Sequence, residues 1–171
     1  MLTSKITSYN PAWPAMFEEE CNRISPAFGD ELIQIYHVGS TAIPELSAKP
    51  EIDILVEVSD HRLTHQGDTF MRSCGYVRGS NLSDGHHFYR RDIEGIRTHK
   101  VHVCHTGHSQ IPQMLHFRNQ LRREPILRKQ YQQLKLRLEA ENTGGIGEYL
   151  ERKRPFIDKV LANQYHFSHN N

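Results

Sequence analysis

Cysteine is scarce: the 171 residues contain three, Cys21, Cys74 and Cys104. An odd number without a C-x-x-C pair argues against a disulfide framework and a thiolate zinc site, and makes a reducing cytoplasm the expected compartment. Long apolar runs are missing too. None approaches the roughly 18 residues of a membrane span, and residues 1–10 hold no apolar signal-peptide segment, so no membrane association is expected. Neither sign of charge is in excess. Twenty-one Lys and Arg against 20 Asp and Glu leave a net charge of +1, too little for an extended nucleic-acid surface held by counterion release. There is no repeat, linker or low-complexity stretch, and at roughly 150 residues per domain the chain reads as a single domain over 1–171.

What is present is patterning. Residues 11–28 put Trp13, Met16, Phe17, Cys21, Ile24 and Phe28 on one stripe of a 3.6-residue period. That predicts a helix with Pro14 in its first turn and Pro26 near its end. Residues 32–38 (LIQIYHV) and 51–58 (EIDILVEV) read as strands. In the second, Ile52, Ile54, Val56 and Val58 share one face, and Glu51, Asp53, Leu55 and Glu57 the other. Ser59-Asp60 offers a helix cap, followed by Leu63, Gly67, Phe70, Met71 and Cys74, with Gly75 as the stop. Residues 86–93 and 96–104 flank Glu94-Gly95, a two-residue hairpin turn. There Val101 and Val103 face one way, and Lys100, His102 and Cys104 the other. Beyond Gly107 the pattern turns helical. Ser109 caps one helix, Pro125 opens the next, and Thr143-Gly144-Gly145 breaks it. A last helix carries Ile146, Tyr149, Lys153, Phe156 and Val160, with Pro155 marking a kink. The order predicts an α+β fold, a mixed sheet flanked by helices with a helical C-terminal portion.

The chemistry concentrates in two places. Glu51 and Asp53, two apart on a strand, present two carboxylates side by side, which repel unless a cation lies between them. Mg²⁺ is the usual answer, a hard ion taking carboxylates, waters and phosphate oxygens. Ten residues upstream, Gly39-Ser40 allows a tight turn whose amides and hydroxyl suit a phosphate. Lys49 precedes the acidic strand and either neutralises phosphate charge or is a surface lysine. His37 either orients Ser40 or is a packed, hydrogen-bonded ring.

The joint pattern, strand, Gly-Ser, ten residues, then acid-apolar-acid-apolar on a second strand, resembles the nucleotidyltransferase superfamily related to DNA polymerase β. The stretch HVGSTAIPELSAKPEIDILV is similar to the signature of one branch, the GrpB (UPF0157) family. Tyr9-Asn10-Pro11-Ala12-Trp13, Gly75-Tyr76, Thr98-His99-Lys100-Val101-His102-Val103, Phe117-Arg118 with Leu121-Arg122, and Tyr149 with Lys153 extend the likeness over about 8–162. Two departures stand out: Glu45 where the family more often has Gly, and Lys100 where a second His is common.

The resemblance implies a polymerase-β-like fold. It also implies metal-dependent transfer of a nucleotidyl group from a nucleoside triphosphate to a hydroxyl acceptor. Glu51 and Asp53 would hold the divalent ion, Mg²⁺ or Mn²⁺, with His102 in the third ligand position. Asp92 and Glu94 are the fallback third acids. Gly39, Ser40, Lys49, Arg118 and Arg122 would hold phosphates, although solvated helix faces also account for the two arginines. Members fused to dephospho-CoA kinases leave a second reading open, a nucleotide- or metabolite-binding module without catalysis, linked to coenzyme A. A third is a His/carboxylate metal-binding protein or hydrolase. His99, His102, His105 and His108 recur every third residue, a period that fits neither strand nor helix, so a four-His site is geometrically poor.

Overall fold

The structure, a computed structural model, describes residues 4–59 and 65–162. Helix α1 (Trp13–Ile24) buries Trp13, Phe17, Glu20 and Ile24 and carries Pro14 in its first turn, where the missing N–H costs nothing. It stops four residues before the predicted end. Two single 3₁₀ turns, Ser25–Ala27 and Gly29–Glu31, carry the chain on to the sheet. Pro26 cannot donate to the α-helical ladder, so the tighter turn takes over.

Strand β1 (Leu32–Val38) runs antiparallel to β2 (Ile52–Val58), which starts one residue later than predicted. Helix α2 (His65–Ser73) follows and ends at Gly75, whose φ is +82°. The predicted cap and stripe residues Asp60 and Leu63 lie outside the described residues. Then come β3 (Val77–Arg78), β4 (His86–Ile93) and β5 (Ile96–His105). Glu94 and Gly95 both have positive φ, the backbone that a tight two-residue hairpin demands. The sheet order is β1-β2-β5-β4-β3, with β2 and β5 parallel and the other pairs antiparallel.

Three helices complete the chain: α3 (Gln110–Arg123), α4 (Pro125–Glu141) and α5 (Ile146–Ala162). Pro125 opens α4, while α5 runs through Pro155 as one helix. The expected Ser109 cap does not form. Ser109 has helical dihedrals and no capping bond, and the Gln110 N–H donates to His108 Nδ1 at 3.1 Å.

Strand alternation sorts the sheet into two faces. Ile52, Ile54, Val56, Val58, Val101 and Val103 pack with Trp13, Phe17, Ile24, Met71 and Tyr89 in the main core. The opposite face carries Leu55 and Cys104, which pack with Val38 and with Ile111 of α3. A third cluster joins Ile43 and Leu46, from the loop between β1 and β2, to Leu121 and Tyr131. The C-terminal helices therefore close over the second face of the sheet, the one that bears the acids.

Candidate functional site

The site begins where β1 ends. Gly39 has φ +71° and leads into a single 3₁₀ turn, Ser40–Ala42. A Cβ at position 39 would lie 2.2 Å from Asp53 Oδ2. Only glycine lets the Asp53 carboxylate rest against this loop. The loop is held from outside. Arg118 Nη1 donates to the His37 carbonyl and Arg122 Nε to the Ala42 carbonyl, both at 2.8 Å. The two arginines expected on phosphate each clamp the loop through one N–H, because carbonyls at the end of a strand and in a short turn lack ladder partners. His37 is the packed ring of the two options. It stacks on Phe17 at 4.6 Å between centroids, and its Nε2 lies 3.0 Å from Thr41 Oγ1. Burial lowers its pKa to about 4, so it is neutral. The Thr41 hydroxyl in turn donates to the Glu51 carbonyl at 3.2 Å.

The cation between the acids is supplied by the chain itself. Lys100 pairs with Asp53 in the parallel β2/β5 register, and its Nζ lies 2.6 Å from Glu51 Oε2 and 3.7 Å from Asp53 Oδ1. The charge of Asp53 holds the Lys100 ammonium above the ordinary lysine range, against the opposing effect of burial. Burial pushes the Asp53 carboxyl up, against the pull of Lys100. Ser4 Oγ donates to Glu51 Oε1 at 3.1 Å.

Three further lysines face the same place. Lys135 of α4, 3% exposed, donates to Ser40 Oγ at 3.2 Å and to the Ser47 carbonyl at 2.6 Å. Burial and the Lys153 charge lower its pKa to about 7. Lys153 of α5 is lowered to about 8, by burial and then by Lys100. Lys49 and Lys153 each lie 4.8 Å from the Tyr149 ring centroid, a cation–π arrangement. The apolar stripes of the last two helices carried the signal for these residues: Lys135 falls four after Tyr131 and Lys153 four after Tyr149. A lysine inside an apolar helical stripe is rarely buried without a partner or a purpose.

The third ligand position also differs from expectation. The register sets Lys100 across from Asp53 and sets His102 across from Leu55. His102 Nδ1 lies 2.9 Å from His86 Nε2, and burial lowers the His102 pKa to about 3. Asp92 pairs with Arg97 and Glu94 sits in the hairpin turn, and neither lines a cavity with Asp53. His99 projects to the other side, 3.9 Å from Glu20. Burial pushes the Cys104 thiol up to about 12, which leaves it unreactive as a free nucleophile.

A divalent ion between Glu51 and Asp53 does not fit this arrangement. Its place is taken by Lys100, and His102, which lines two cavities with Asp53, has its Nδ1 against His86. What the site does offer is space beside concentrated positive charge. Asp53, Leu150 and Lys153 line three cavities. The smallest, about 80 Å³, is ringed by Ser40, Lys49, Lys100, Lys135 and Lys153. A cleft of about 530 Å³ opens between the sheet and helices α3 and α5, with Met114, Phe117, Ile157 and Leu161 on its apolar side.

A solved structure shares this fold. The family model described as GrpB protein matches residues 3–163, and the chain belongs to the GrpB family. It is 38% identical over 160 residues to a UPF0157 protein of Bacillus subtilis, covering 93% of this chain and 46% of the relative. The chain therefore spans just under half of that protein's length. A crystal structure of conserved protein GrpB from Enterococcus faecalis superposes with a TM-score of 0.85 at 33% identity, covering 93% of this chain and 96% of the other. A dephospho-CoA kinase of Mycolicibacterium paratuberculosis is 31% identical over 77 residues, 43% of this chain and 19% of the kinase.

Proposed function

We propose that the protein binds a phosphorylated metabolite of nucleotide type in the cleft between the sheet and α5, and does so without a divalent cation. The observation that carries this reading is the Lys100 ammonium set between Glu51 and Asp53. It sets one internal positive charge against the two acids and leaves Lys49, Lys135 and Lys153 to meet an anionic ligand. All three have depressed pKa values because they are buried and crowded. A bound phosphate relieves that crowding, so binding and protonation reinforce one another. The apolar side of the larger cleft suits a base or a comparable flat or apolar group. Similarity to a segment of a dephospho-CoA kinase brings coenzyme A metabolites among the candidates.

A second reading is metal-dependent transfer of a nucleotidyl group from a nucleoside triphosphate to a hydroxyl acceptor, with Mg²⁺ or Mn²⁺ on Glu51 and Asp53. The contact of Asp53 with the Gly39 backbone favours it, since that contact sets a carboxylate beside a phosphate-sized turn. This reading requires Lys100 to move out.

Calorimetry with ATP, GTP, CTP, UTP and dephospho-CoA, in EDTA and then with Mg²⁺ or Mn²⁺, separates the two. The expected result is binding of at least one ligand in EDTA, weakened roughly 10–100-fold by Lys153→Met through loss of a charged hydrogen bond. Binding that appears only with metal and disappears in Asp53→Asn would overturn the binding module and establish the transferase.

A further inference from the structure

We propose that His86, Cys104 and His108 form a binding site for a thiophilic divalent ion of the zinc class, separate from the lysine–carboxylate pocket. One ligand atom from each lies within 4.8 Å of the other two. In a tetrahedral zinc site, nitrogen and sulfur ligands stand roughly 3.5 Å apart. The three side chains therefore need to draw in by about an ångström, which side-chain rotation supplies.

Topology explains why they meet. His86 opens β4 and pairs with Cys104 of β5 in the antiparallel register, so both project from the same face. His108 follows β5 by one tight turn, in which its N–H donates to the His105 carbonyl at 3.0 Å. The His86 and His108 rings lie 5.4 Å apart between centroids. His86 is 3% exposed and Cys104 0%. No hydrogen bond engages the Cys104 thiol among the described residues.

The outer hydrogen bonds are already in place. Metal-bound imidazoles donate their second ring N–H to a fixed acceptor, which sets tautomer and orientation. His86 Nε2 lies 2.9 Å from His102 Nδ1. With that nitrogen donating, His86 Nδ1 is left as the basic atom. His108 Nδ1 accepts the Gln110 N–H at 3.1 Å, so Nε2 carries the proton and donates to Ser83 Oγ at 3.1 Å. An ion then replaces the Gln110 amide on Nδ1 and keeps Ser83 as the outer partner. Gln110 is the first residue of α3 and lines the 530 Å³ cleft. The donor set of two imidazoles and one sulfur selects Zn²⁺ or Co²⁺ over Mg²⁺. As the ion binds, Cys104 loses its thiol proton to solvent and the sulfur–metal bond forms. Three protein ligands leave a fourth position for water.

Titrating the chelator-treated full chain with Co²⁺ tests this by absorption. The expected result is one Co²⁺ per chain with a sulfur-to-cobalt charge-transfer band. That band is lost in Cys104→Ser and displaced by Zn²⁺. His108→Asn, on the half-exposed ligand, removes most of it with the fold intact by circular dichroism, so the test does not hang on the buried cysteine. Ser83→Ala weakens Co²⁺ binding about tenfold, as loss of an outer partner does. Asp53→Asn leaves the band unchanged. A band that survives both Cys104→Ser and His108→Asn, or no band in the parent chain, overturns the proposal.

Discussion

At Lys100 the polar face of β5 meets Glu51 and Asp53 in a set of ionised groups. At Cys104, further along the same face, it meets His86, and both are neutral at pH 7. The strand is the same, though the lysine end keeps 30% of the Lys100 side chain exposed and the Cys104 end is fully enclosed. The neighbouring strand makes the difference. β2 delivers carboxylates to the lysine end, and β4 delivers an imidazole to the histidine end. Desolvation opposes charge at both ends. At the lysine end opposite charges answer it and ionisation survives. At the histidine end nothing does, so the groups stay neutral, the protonation state in which imidazoles ligate metals.

The largest expected effect comes from breaking the charged end. Lys100→Met leaves Glu51 and Asp53 facing each other without a counter-charge. Removing one partner of a fully buried pair costs roughly 3–5 kcal/mol. Lys100 keeps 30% of its side chain exposed. Screening brings the expected loss to about 2–3 kcal/mol in urea unfolding at pH 7. Mn²⁺ should restore part of that stability, because the vacated place then suits a hard ion. Unchanged stability in the variant would mean that the ammonium does not hold the acids together. At the histidine end the loss of the Lys100 charge removes one of the influences that lower the His102 pKa, while burial continues to hold it down.

Acid and base separate the ends further. His86 and His102 have folded pKa values of about 4 and about 3, against 6.5 for the free side chain. The unfolded chain therefore takes up their protons first as pH falls. Stability is lost from about pH 6.5 down to about pH 4, at up to about 1.4 kcal/mol per pH unit for each ring. The neighbours that feel this are Lys100 on β5 and His108 at the start of α3. Comparing the chain with His102→Gln over that range isolates one ring, and equal slopes would refute its neutrality. Lys135 and Lys153 work at the other limit. Their folded values of about 7 and about 8 lie below the ordinary 10.5, so stability rises with pH from about 7 towards 10.5. Affinity for a phosphate ligand should fall over that same range as the ammoniums discharge. No decline between pH 7 and 9 would remove these lysines from the site.

Much of this arrangement is legible in the sequence, for a physical reason. Strand alternation is a local property, and it sorted Ile52, Ile54, Val56 and Val58 from Glu51 and Asp53 correctly. Gly39 was legible because a tight turn before an acidic strand needs it. Register is not local. Which residue of β5 faces Asp53 depends on a parallel pairing across more than 40 intervening residues, and a shift of two exchanges Lys100 for His102. Helix placement is not local either. Arg118 and Arg122 share a helix face, as their spacing says, but only packing shows that the face meets the loop carbonyls. His86 escaped notice as a partner of Cys104 because the two are joined only by the antiparallel register of β4 and β5.

The smallest effect belongs to the loop that carries Gly39, at its other left-handed residue. Glu45 has φ +67°, which an L side chain adopts at a cost. Its carboxylate receives Arg128 Nη2 at 2.5 Å, yet 76% of its side chain is exposed, so the pair adds little. Glu45→Ala removes the ion pair and keeps the strained backbone. Glu45→Gly removes the ion pair and relieves the strain. The difference between the two variants isolates the backbone contribution, expected at about 1 kcal/mol in favour of glycine by urea unfolding. A Cβ at position 39 would strike Asp53, but the Glu45 side chain points into solvent. Substitution at 45 should therefore leave both ligand binding and the Co²⁺ band untouched. Equal stability of the two variants would show that the loop tolerates the left-handed residue without strain.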